Sequence, residues 1–175
     1  DFQWEGEYRS IASLPGMYER TLSLFSASKS YAAAGIRLGY VVAPEPVIAA
    51  LNKGHVATGY EPSRTAQGQL IRAIRRHDTL VPRLQALYRE SRQAALDHLP
   101  VPHLPPEGSF YFFLDLRRQW AGRTREEKID SMLRAGVALS PGEVFGAAYD
   151  GWARFCFTAA PPHLIAEAPR RVGRL

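Results

Sequence analysis

Two short β-forming runs on either side of a connector of small residues constrain this chain more than any other feature. Arg20-Thr21-Leu22-Ser23-Leu24-Phe25-Ser26 sets Leu22 and Leu24 at period two with hydroxyls between them, the spacing of a half-buried strand. Ile36 to Ala43 reads as a second strand, bounded by Gly35 and Pro44. Between them, Ala27 to Ala34 is small and polar, a connector with room for a ligand. Lys29 falls just after the first strand, and Arg37 lies eight residues on, where the chain returns.

Past Pro44 the period changes to that of helices. Val47, Ile48, Leu51 and, after an interruption at Gly54, Val56 predict a short amphipathic helix. Ser63 is placed to cap a second, with Leu70, Ile71 and Ile74 on one face, and Asp78 to cap a third running to about Leu99, with Pro82 tolerated in its first turn. Pro102, Pro105 and Pro106 break the pattern. Phe110 to Leu116 then reads as a buried strand, Lys128 to Ala135 as a helix, Val137 to Leu139 and Trp152 to Thr158 as strands, with a closing helix from about Pro162. This order is mixed α/β.

Composition narrows the class. At 46% hydrophobic and 22% charged residues the chain is of the ordinary globular type. No apolar run nears the roughly 18 residues a bilayer crossing needs, so no membrane partner is expected. Asp1-Phe2-Gln3-Trp4-Glu5 has no secretory h-region. One cysteine, Cys156, excludes an intramolecular disulfide framework and points to a cytoplasmic location. The net charge of +5 gathers in Arg72, Arg75, Arg76, Arg83, Arg89 and Arg92, on helical segments without interleaved aromatics. They read as solvated helix faces, so no nucleic acid is expected. The five histidines show no ligand spacing, so no metal is expected.

The chemistry concentrates around the connector. A lysine amine attacks a carbonyl only after losing its proton, which partial burial and nearby positive charge favour. Arg37 offers a planar fork for phosphate, Ser26 and Ser28 offer hydroxyls, and Gly35 and Gly39 let backbone approach closely. The bland alternative is a solvated loop lysine and a strand-edge arginine. Ser26-x-x-Lys29 also fits the start of the serine β-lactamase pattern, but neither Ser-x-Asn nor Lys-Thr-Gly occurs in the chain.

Ser26-x-Ser28-Lys29, five residues, then Gly35-x-Arg37-x-Gly39-Tyr40 resembles the cofactor-attachment motif of class I/II pyridoxal-phosphate-dependent aminotransferases of fold type I. Ser10 to Met17 with Arg20-Thr21 resemble the segment that precedes this motif, and Glu107 to Tyr111, Gly136 to Gly142 with Phe145-Gly146, and Trp152 to Phe157 resemble later landmarks, all in the family's order. The resemblance implies the C-terminal part of the aspartate-aminotransferase fold: residues 1–80 as the end of the large cofactor domain and 81–175 as the small domain. It implies pyridoxal 5'-phosphate as cofactor, held by Lys29 as an internal aldimine with Lys29 the general base. Ser26 and Arg37 would bind the phosphate, and Arg154 the substrate α-carboxylate. It further implies amino acid and 2-oxo acid substrates and a homodimer. The family's chains are about twice as long, and their phosphate turn, ring-stacking aromatic and pyridine-nitrogen Asp precede the stretch that matches. The expectation is therefore a fragment that is catalytically inert and marginally stable alone. A sensor domain of a transcription regulator and a β-lyase of the same fold use the same architecture and stay open.

Overall fold

Ser26 faces Gly39 across an antiparallel ribbon of two strands, β1 (Ser23–Ser26) and β2 (Gly39–Val42), in a register that runs back to Ser23↔Val42. The computed structural model describes all 175 residues. Both strands are shorter than the apolar runs suggest. Tyr18–Arg20 is coiled into a 3-10 turn before β1, and Ala34–Ile36 into another before β2. Phe25 and Tyr40, opposite one another, stack with centroids 4.8 Å apart, a cross-strand pair of the kind that stabilises sheets.

Four helices belong to this stretch, one between the two strands and three after them. α1 is the single turn Ala27–Ser30 that continues directly from β1, and α2 (Glu45–Thr58) starts behind Pro44 and runs through Gly54 without a break. The Ser63 hydroxyl caps α3 (Arg64–Ile74), accepting from the Ala66 N–H at 3.5 Å. α4 (His77–Leu96) begins one residue before Asp78, which lies in the first turn rather than capping it. Pro82 therefore sits inside the helix, where its missing N–H removes a ladder bond.

The chain divides into two compact units, one of Asp1 and Glu7–Leu84, the other of Phe2–Gly6 and Gln85–Leu175. The division thus falls a few residues beyond position 80, and Phe2–Gly6 belongs with the later residues. There Gln3 bridges Gly108, the Ser109 N–H donates to Phe2 O at 2.8 Å, and Arg92 pairs with Glu5 at 3.0 Å.

The second unit is built on a four-stranded antiparallel sheet in the order β3-β4-β6-β5, with β3 (His103–Leu104), β4 (Tyr111–Asp115), β5 (Ser140–Pro141) and β6 (Trp152–Cys156). Alternation along β4 and β6 buries Phe112, Leu114, Ala153 and Phe155 on one face. It leaves Tyr111, Phe113, Trp152 and Arg154 half-buried on the other. α5 (Arg125–Ala135) is delimited by a Thr124–Glu127 capping box and a left-handed Gly136. Val137 to Leu139 forms no strand, because the chain leaving Gly136 reaches β6 only at Ser140 and Pro141. The closing helix is two short pieces, α6 (Pro162–Ile165) and α7 (Ala168–Val172). No helix is long and apolar enough to cross a membrane.

Candidate functional site

Lys29 lies on α1, one turn of helix rather than an open loop, and its side chain is exposed in this chain. The turn forms because Ser26 leaves β1 extended and its hydroxyl accepts the Ser28 N–H at 3.2 Å, capping the helix. Ala27, fully buried, donates its N–H to Leu38 O at 3.1 Å and locks the turn to the start of the returning strand. Arg37 immediately precedes Leu38 and takes φ +51°, a left-handed conformation that costs a non-glycine residue energy. Its Nη1 donates to Ala34 O at 3.0 Å, which leaves most of the guanidinium donors free. Ser26 and Arg37 thus share one end of the ribbon, with Lys29 on the turn that leaves it. Gly39 is required there: a Cβ would lie 2.5 Å from the Phe25 carbonyl oxygen. At Gly35 the space is open, so no close approach explains that glycine.

Sequence reasoning missed a second contact on this turn. Tyr31, the residue ending α1, shares a hydrogen bond of 3.1 Å with His77 Nδ1. Burial pushes the Tyr31 phenol up from its ordinary range, and Tyr40 adds to the effect. Nothing in the local pattern links positions 46 residues apart.

Arg154 belongs to the second unit. It sits at the centre of β6, opposite Phe113 of β4 and Ser140 of β5. Its guanidinium carbon lies 4.3 Å from the Tyr111 ring centroid and 5.0 Å from that of Phe145. Nη2 donates to the Ser140 hydroxyl at 3.2 Å, and the buried Nε has no partner. No carboxylate pairs with it, unlike Arg92, Arg117, Arg134 and Arg171, each of which has one. A half-buried cation against two aromatic rings, with donors to spare, is suited to an anionic ligand. It borders a cleft of about 560 Å³ lined by Leu104, Pro105, Tyr111, Phe113, Phe145 and Tyr149 among others. The sequence pointed to Arg154 but not to Tyr111, Phe145 or Ser140 as its neighbours.

Lys128 was also missed. It is buried on α5, paired with Asp150 and 5.9 Å from the Trp120 ring centroid. These contacts hold α5 against the segment leading into β6, a structural role.

Comparison with known proteins bears on the whole arrangement. The profile of the family described as aminotransferase class I and II matches residues 4–172. An aspartate aminotransferase of Pyrococcus abyssi is 33% identical over 160 residues, covering 88% of this chain and 41% of the relative. An arginine–pyruvate transaminase of Pseudomonas aeruginosa is 33% identical over 178 residues, covering 97% and 44%. Among solved structures, an aromatic aminotransferase from Pyrococcus horikoshii superimposes with a TM-score of 0.86 at 32% identity, over 99% of this chain and 48% of that one. The chain therefore spans less than half the length of these relatives. On the family profile, the relatives and the shared α/β fold, the chain belongs to the class I and II aminotransferases, a family of pyridoxal-phosphate-dependent enzymes.

Proposed function

We propose that this chain supplies the cofactor-anchoring lysine and the carboxylate-binding arginine of an aminotransferase that moves an amino group between an amino acid and a 2-oxo acid. The observation that carries the reading is Arg154, a half-buried guanidinium with an unpartnered Nε, two supporting rings and no acidic partner. An arginine in a strand ordinarily finds a surface carboxylate; this one keeps its donors for something else.

The residues at the open end of the ribbon fit pyridoxal 5'-phosphate by their chemistry: a primary amine on Lys29, a hydroxyl on Ser26 and a guanidinium with free donors on Arg37. Lys29 would hold the group covalently through Nζ, and Ser26 Oγ and Arg37 would hold its phosphate. Bound, that group supplies an electron sink that acidifies the substrate Cα–H bond. Once the substrate amine had taken its place on that group, the released Lys29 Nζ would be the base that takes up the Cα proton and gives it back. Arg154 would fix the substrate carboxylate, and with it the direction of the Cα–H bond, by paired N–H donors. The first unit is assigned to the large, cofactor-binding domain and the second to most of the small domain of a homodimeric enzyme.

The test is covalent capture. The purified chain is mixed with pyridoxal 5'-phosphate, reduced with borohydride and mapped by peptide mass. Label is expected on Lys29 and should be lost in Lys29→Ala. Equal labelling of the variant, at Lys53 or the N-terminal amine, would remove the reading of Lys29.

A further inference from the structure

Building on the assignment of Arg154 to a substrate carboxylate, we propose that Tyr111, Phe145 and Ser140 are positioning residues that orient its guanidinium, and that the adjoining cleft takes the apolar body of a monocarboxylate. Arg154 faces Phe113 across β4 and β6, so Tyr111, two residues along the same face, is its diagonal neighbour. Phe145 comes from the 3-10 turn Gly142–Phe145. That turn is pinned, because a Cβ at Gly142 would lie 2.8 Å from Trp152 O and closer still to Tyr149 O. Phe145 in turn packs edge-on against Phe113 at 6.2 Å, and Phe113 stacks on Trp152 at 5.2 Å. Phe145 is therefore itself held, and Tyr111 meets the Phe110 ring edge-on at 6.0 Å.

The two rings attract the cation without taking its hydrogens, while Ser140 accepts from Nη2 alone. The remaining donors, including the unpartnered buried Nε, are left for oxygens in the guanidinium plane. A carboxylate meeting a guanidinium already fixed in rotation loses less entropy on binding than one that must order a free arginine. The cleft alongside has Arg154 as its single charged lining residue, next to Leu104, Pro105, Pro106, Phe113 and Tyr149. One carboxylate can be neutralised there; a second would be desolvated against apolar walls.

The experiment follows the Arg154 Nε–H resonance and heat of binding as 3-phenylpropanoate is titrated into the 175-residue chain without cofactor. Tyr111→Leu and Phe145→Leu are each expected to weaken binding about fivefold and Ser140→Ala about threefold. Tyr111→Phe and Phe145→Tyr, which keep the rings, should bind like the parent, and succinate should bind more weakly than 3-phenylpropanoate. Arg154→Leu separates the two ideas. If it binds the probe as well as the parent, or the parent does not bind, the carboxylate assignment fails and the positioning roles fail with it. If only Arg154→Leu loses binding while the leucine and alanine variants match the parent, the positioning roles alone are overturned. Succinate binding as tightly as 3-phenylpropanoate would overturn the apolar cleft. Should Phe145→Leu lose its near-ultraviolet circular dichroism, Tyr111→Leu, whose strand keeps its buried face, decides in the same way.

Discussion

Leu24 in β1 is 76% exposed, whereas Phe112 in β4 is wholly buried, although both sit in the middle of short antiparallel strands. The ribbon of the first unit consists of two strands, and Leu24, Phe25, Tyr40 and Val42 remain exposed on it. The sheet of the second unit has four strands, one dry face and helices with caps and ion pairs around it. A two-stranded ribbon has little stability of its own in water. Lys29 is therefore held by local devices: a serine cap, one backbone bond from Ala27 to Leu38, and a left-handed Arg37. Arg154 is held instead by side chains from β4, β5 and the Gly142–Phe145 turn, far apart in sequence. The two candidate sites illustrate two ways of fixing a functional side chain, by short-range geometry and by packing.

The contrast can be broken most directly at its buried extreme. Phe112→Ala should cost about 3–5 kcal/mol, the usual range for emptying an aromatic site in a core, read as a shift in urea midpoint. A cost below about 1 kcal/mol would mean that the second unit is not the well-packed partner in the comparison. Thr124→Ala, which removes the capping box of α5, should cost about 1 kcal/mol in the same measurement.

Acid sharpens the comparison further. Hydrogen bonds from Arg117 hold the Asp115 carboxyl below the ordinary range, and Lys128 does the same for Asp150. Because their folded values are depressed, the stabilisation from these groups is complete above about pH 4 and is lost as pH falls through the lowered values. Urea melts between neutral and acid pH should show this loss in the parent and a flatter profile in Asp115→Asn/Asp150→Asn. An identical profile would assign the acid sensitivity to other carboxyls. The smallest effect belongs to the ribbon, where Leu24→Ala should change stability by no more than about 0.5 kcal/mol. A larger loss would show that Leu24 is covered in solution, by a second copy of the chain or by another part of the protein.

The Lys29 end was legible in the residues because its signals are close together. The period-two run before Ser26 lies, with Gly39, within the stretch that also carries the resemblance, and α2 and α3 follow local spacing, α3 with its Ser63 cap. The helical turn capped by Ser26 reads in the sequence as an open connector, and the Thr124 capping box starts α5 at Arg125 rather than Lys128. Element ends were less legible. Arg20 was absorbed by a 3-10 turn, the Val137–Leu139 run stayed unpaired, and residues 2–6 joined the second unit through bonds to Glu107 and Gly108. The turn at Arg20 is closed by bonds three residues apart, whereas the other two outcomes depend on partners more than twelve positions away.

The sequence by itself determined that a lysine and a serine leave a strand together, that an arginine returns beside them, and that a second arginine lies in a later strand. Those are statements about period, caps and spacing, which short-range sterics and hydrogen bonding enforce. Only the tertiary structure decided that Arg154 lies against Tyr111 and Phe145 with no carboxylate partner, and that Lys128 is buried beside Trp120. Strand register and the packing of distant turns set those neighbours, and register is a property of the assembled sheet, which no single strand specifies alone.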